Sequence, residues 1–177
     1  MDLARAYADL VAELGEQGVR IVRKDQVWHQ RAIDHVLRVV TLGGQRVYLD
    51  RYVTTIGCTI YVTPDWESRS LADRYATLRH ELVHVDQFRR WGVVPMAIAY
   101  LLFPLPLGLA WCRMRLERAA YEETLRVRHA LGGRRAVDDV RDHIVSQFTS
   151  GSYGWMWPFP RAVARWFDRF ADELDRR

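Results

Sequence analysis

The segment Ser70-LADRYATLRHELVHVDQFRR-Trp91 contains neither glycine nor proline, and it lies between Pro64 on one side and Gly92 and Pro95 on the other. A run of this length with breakers only at its ends predicts a helix over about residues 70–91, with Asp65 or Ser68 placed to cap its start. Inside it stands His80-Glu81-Leu82-Val83-His84. On a helix, side chains four apart lie on one face, one above the other. The two imidazoles therefore point the same way, with a carboxylate beside them.

That arrangement has a chemical meaning that depends on the helix. Two imidazoles at this spacing can grip one zinc ion while the adjacent carboxylate of Glu81 reaches a water activated by the metal. The five-residue pattern would arise by chance in roughly one chain in a hundred of this composition, where it would be two ordinary helix histidines. A catalytic zinc site has three protein ligands. The extended HExxHxxGxxH version is excluded, because Gln87 stands where its glycine would be and residue 90 is Arg. His129 and His143 lie downstream without a supporting local pattern. Glu117 is the better third ligand: it falls inside the next breaker-free segment, 113–131, and the small Ala119 and Ala120 would let that helix approach closely. Glu122 and Glu123 are its rivals, and a solvated carboxylate is the bland reading. Asp86 is placed to orient a ligand imidazole.

HELVH followed by a helix bearing Glu117-Arg118-Ala119-Ala120 resembles the gluzincin clan of zinc peptidases, particularly its small single-domain members. The resemblance covers roughly residues 45–125. It implies a zincin-like α+β fold: a small sheet packed on the HExxH helix, its edge strand matching Thr54–Val62, followed by a mostly helical C-terminal part. It also implies Zn2+ held by His80, His84 and Glu117, and hydrolysis of a peptide or protein substrate with Glu81 as general base and then acid. Gluzincins use a Tyr or His from the C-terminal part to stabilise the oxyanion, and Tyr153 is the expected residue here. Tyr121 reads as a packing residue.

The remaining chain reads as one domain, 1–177, with no repeat or low-complexity linker. Residues 2–14 carry Leu3, Tyr7, Leu10, Val11 and Leu14 at helical spacing, stopped near Gly15 and Gly18, and a short strand at 19–23 follows. Residues 28–40 repeat the helical pattern. Residues 47–62 are rich in Tyr, Val, Thr and Ile, interrupted by Gly57, and predict one bent strand or two short ones. Helices are expected over 113–131, ending at Gly132-Gly133, over 136–148 and over 161–174, with an aromatic loop, SYGWMWPFP, before the last.

Residues 91–112 hold no charge. They are long enough to cross a bilayer if wholly helical, but a crossing would separate His84 from Glu117 by about 30 Å. Pro104 and Pro106 divide the run into halves too short to span, so an apolar helical hairpin that returns to its starting side is expected. Burial in the core or a dimer contact is the favoured use of it; peripheral membrane contact is the alternative, supported by Arg89, Arg90, Arg113 and Arg115 at its mouth.

Composition limits the other classes. Hydrophobic residues at 49% and charged residues at 27% describe a globular chain. Its net charge of +4 is almost all arginine, Lys24 being the single lysine. These charges are interleaved with acids, so no nucleic-acid partner is expected, although some small HExxH enzymes cut nucleic-acid-bound proteins. Asp2, Asp9 and Glu13 stand where an export signal would be basic and then apolar, so a cytoplasmic, possibly membrane-associated, location is expected. Cys58 and Cys112 are too few for a disulfide scaffold and read as buried thiols. The competing function class is a non-catalytic or membrane-docked binding protein on the zincin fold. Substrate preference and oligomeric state are not readable.

Overall fold

The computed structural model describes residues 2–26, 52–101, 111–150 and 156–176. The helix read over 28–40, the strand start at 47–51, Pro104, Pro106 and Tyr153 lie outside them. In chain order the elements are α1 (Leu3–Glu16), β1 (Arg20–Arg23), β2 (Thr54–Ile56), β3 (Thr59–Val62), α2 (Leu71–Trp91), α3 (Val93–Leu101), α4 (Trp111–Asp138), α5 (Arg141–Thr149) and α6 (Pro160–Asp175). The class is α+β, mostly helical, with one small sheet. Among the described residues no helix is long and apolar enough to cross a membrane.

In the three-stranded sheet β3 is central, parallel to β1 and antiparallel to β2. All four β3 residues are buried, as a strand covered on both faces requires. β2 and β3 are joined by the two-residue turn Gly57-Cys58, with Ile56 paired to Thr59. So tight a hairpin needs left-handed backbone, which Gly57 supplies at φ +59. The turn also corrects the expectation for Cys58: at the hairpin tip its thiol is exposed, and Cys112 is half-buried.

Ser70, not Asp65 or Ser68, caps α2: its Oγ accepts the Asp73 N–H at 3.1 Å. Asp65 receives Arg69 instead, and Ser68 closes a single 3-10 turn at Trp66–Ser68. α2 buries two opposite faces. Leu78 and Val85, with Tyr75 and Leu82 beside them, follow heptad spacing and pack on α1 and β3 through Leu10, Leu14, Ile60 and Val62. The opposite face, through His80 and His84, meets α4. A central helix of this kind can carry polar residues on a buried face, provided each has a partner.

α4 is not straight. Gly132 and Gly133 have non-helical backbone, Gly133 at φ +65, so the helix read over 113–131 does stop at the glycines. The expected single helix over 136–148 is broken at Asp139-Val140; the turn lets Val137 and Ile144 enter the same core. That second core, built by α4, α5 and α6, contains Leu125, Phe148, Val163, Trp166 and Phe167, all essentially inaccessible. The seam between α2 and α4 thus lies between two apolar cores. A third small cluster sets Met96 and Ala99 of α3 against Leu116, Phe88 and Cys112; the middle of the expected apolar hairpin, 102–110, lies outside the described residues.

Candidate metal centre

α2 presents His80 and His84 one turn apart. α4 presents Glu117, Ala120, Tyr121 and Thr124, which share one helical face by their spacing. Ala120 is fully buried, and its small side chain permits the close approach of the two helices. At that approach the Glu117 Oε2 lies 3.6 Å from His80 Nε2 and 3.8 Å from His84 Nε2. The three donor atoms all fall within 4.8 Å of one another. Atoms so spaced stand about 2.4 Å from a common point, against about 2.0–2.2 Å for zinc with nitrogen and carboxylate oxygen. Shifts of a few tenths of an ångström would close the difference.

The outer contacts decide which nitrogen of each ring is available. Thr124 donates its hydroxyl to the Ala120 carbonyl at 3.3 Å and lies 3.1 Å from His80 Nδ1. Its oxygen therefore accepts from Nδ1–H, and Nε2 is the nitrogen that faces Glu117. Gln87 donates its amide to the Leu116 carbonyl at 3.1 Å, which turns its Oε1 to His84 Nδ1 at 2.9 Å. That ring is held in the same sense. Both rings have the second-sphere support typical of metal-binding histidine.

The electrostatics agree with the donor set. Glu117 is only 4% exposed and His84 6%, so both charges need compensation. Burial pulls the His84 imidazolium down, but the Glu117 carboxylate, with Glu81 and the Gln87 hydrogen bond, more than offsets this and raises it to about 9. Burial pushes the Glu117 carboxyl up, and the two imidazoles override it, leaving the group well below the carboxylate range. In the metal-free chain the three groups are a coupled acid–base cluster, where a bound cation would replace the proton.

Glu81 stands outside the three-donor group. It is buried, and its Oε2 accepts the Thr55 hydroxyl at 2.7 Å from β2, an edge strand of the sheet. A cleft of about 220 Å³ runs beside it, with Tyr52, Thr77, His80, Glu81, Tyr121 and His143 among its lining. Tyr121 sets its ring edge-on against His80 at 4.8 Å and continues through Phe148 at 5.4 Å to Trp166. Burial first, then Glu117, Glu81 and Tyr52, raise the Tyr121 phenol well above its ordinary value, so it stays a hydrogen-bond donor.

The rival carboxylates are engaged elsewhere: Glu122 accepts from Arg118 and the Trp166 indole, and Glu123 from Arg79 and Arg126. Asp86, expected to orient a ligand imidazole, faces Arg89 on the surface instead; the groups at the two Nδ1 atoms are Gln87 and Thr124. Neither was singled out for this from sequence, although Gln87 is three residues past His84 and Thr124 seven past Glu117, both spacings that return to the same face. Thr55 was missed as well. Comparison of the chain with protein-family models, curated proteins and solved structures returns no match.

Proposed function

We propose that this chain is a zinc-dependent peptidase of gluzincin type on a zincin-like fold. The observation that carries the reading is the convergence of His80, His84 and Glu117 from two helices, with both imidazoles held at Nδ1 so that Nε2 faces the carboxylate. Two neutral imidazoles and one carboxylate are a donor set that suits zinc and leaves a fourth position open. The placement of β2 against the motif helix, with Thr55 touching Glu81, supports the zincin-like part of the reading.

Zinc bound there would acidify a water and polarise the scissile carbonyl. Glu81 then takes the water's proton and delivers it to the leaving amine. Thr55 holds the carboxylate through one oxygen and leaves the other for this transfer. Thr124 and Gln87 keep the ligand rings from turning. Among the described residues Tyr121 and His143 line the cleft and can donate to a developing oxyanion; Tyr153, expected in that role, is outside them.

The test separates metal binding from chemistry. Glu81→Gln should keep about one zinc per chain and lose peptide hydrolysis, by a factor of about 100 or more. Measured on a peptide library, undiminished cleavage by Glu81→Gln would sink the proposal, as would a wild-type protein without any hydrolysis when zinc-loaded.

A further inference from the structure

Of the uncharged run between the two halves of the site, the described part is only partly used by the core. On α3, Met96 and Ala99 are buried against Phe88, Cys112 and Leu116. Val93, Val94 and Ile98 fall on the other side, within about 140° of one another at 100° per residue. They are exposed, Val94 by 68%. Trp91 and Trp111, at the end of α2 and the start of α4, are exposed too. Five large apolar side chains left in water around one short helix mark a contact surface rather than scattered exposure.

The charges beside it are mostly of one sign. From Gln87 to Leu116 the chain holds four arginines and neither Asp nor Glu; of the flanking acids, Asp86 pairs with Arg89 and Glu117 is buried. Arg89 is committed to Asp86 and Gln17. Arg90 and Arg115 are exposed and form no ion pair among the described residues; Arg115 lies over the Trp111 ring at 5.6 Å. A second copy meeting this face symmetrically would bring Arg90 and Arg115 together with those of its mate, the exposed acid beside them in sequence, Asp86, being held by Arg89. An anionic lipid surface offsets them, accepts tryptophan at headgroup level and takes aliphatic side chains just below.

We propose that this face docks on an anionic bilayer, α3 lying in the interface with Val93, Val94 and Ile98 inserted and Arg90 and Arg115 on the headgroups. The helix is nine residues long, which fits lying in the interface and not crossing. Trp91 is seven residues beyond His84 on α2, about 10 Å along the helix, so docking brings the metal centre close to the membrane. The proposal does not depend on the peptidase reading.

Flotation of the full chain tests it, with vesicles of phosphatidylcholine alone and vesicles carrying about one third phosphatidylglycerol. The protein should float with the anionic vesicles only and be released as salt is raised. Each basic residue at the surface contributes about fivefold, so Arg90→Gln with Arg115→Gln should lower partitioning about 25-fold. Val94→Glu should abolish flotation while circular dichroism and melting stay as in the wild type, since the side chain is already in water. Absence of wild-type flotation, or equal flotation with neutral vesicles, overturns the proposal. So does a dimer in sedimentation that Val94→Glu dissociates without any vesicle binding, which would give the face to a second copy.

Discussion

Gln87→Met removes the two hydrogen bonds that link His84 to the α4 backbone. Methionine keeps the length of the side chain but loses both the oxygen that meets His84 Nδ1 at 2.9 Å and the amide that reaches the Leu116 carbonyl at 3.1 Å. His84 is almost wholly buried, so its Nδ1–H would be left without that acceptor, at a cost of about 1–3 kcal/mol. In the metal-free variant the ring can rotate to recover part of this; once coordinated through Nε2 it cannot. The unrecovered part falls on binding, and zinc Kd should rise about tenfold, with about a hundredfold as the upper bound. Gln87→Glu, which restores an acceptor, should bind more tightly than Gln87→Met. Competition against a chromophoric zinc chelator at neutral pH reads both values, with thermal melting of the metal-free proteins as the check on folding. A folded Gln87→Met protein whose Kd stays within about twofold of the wild type would refute the argument that Gln87 orients His84 for metal.

Because Glu117 raises His84 to about 9 in the metal-free chain, zinc uptake at pH 7 must expel a proton. Apparent affinity should therefore climb about tenfold per pH unit towards 9 and level off above it, as isothermal titration in buffers of different ionisation enthalpy would show. The sign for stability follows from the same shift: the raised value means the His84 contribution is complete below its ordinary 6.5 and is lost as pH rises through about 9. Melting of the metal-free protein should fall over that window. Ala120→Leu overfills the seam between α2 and α4; it should cost about 1–3 kcal/mol in denaturant unfolding and, by pushing Glu117 away from the imidazoles, weaken zinc by about tenfold or more.

The motif helix and its donors were legible because local rules govern them. A breaker-free run from 70 to 91 is too long for one strand and reads as a helix, helical spacing puts His80 and His84 on one face, and Ala119 and Ala120 mark where another helix can approach. The packing of α3 on the start of α4 agrees with a site built from both α2 and α4, since a crossing would have separated the ligands. What was not legible depends on tertiary contact. Thr55 reaches Glu81 only because β2 lies against α2, and Thr124 faces His80 only because α4 crosses at that level. Ser70 displaced Asp65 and Ser68 as the cap because those two are used by Arg69 and a 3-10 turn. The break at Asp139-Val140 contains no glycine or proline; burial of both Val137 and Ile144 in one core sets it. The apolar run reads as buried, and its described part divides: Met96 and Ala99 go inside, while Val93, Val94 and Ile98 stay in water.

The central claim is that His80, His84 and Glu117 hold one metal ion, and anomalous scattering at the zinc edge from crystals of the zinc-loaded protein tests it most directly. One peak is expected about 2.0–2.2 Å from His80 Nε2, His84 Nε2 and a Glu117 carboxylate oxygen, and it should be lost in Glu117→Ala. A peak coordinated elsewhere, no peak from zinc-replete crystals, or a peak that survives unchanged in Glu117→Ala would contradict it.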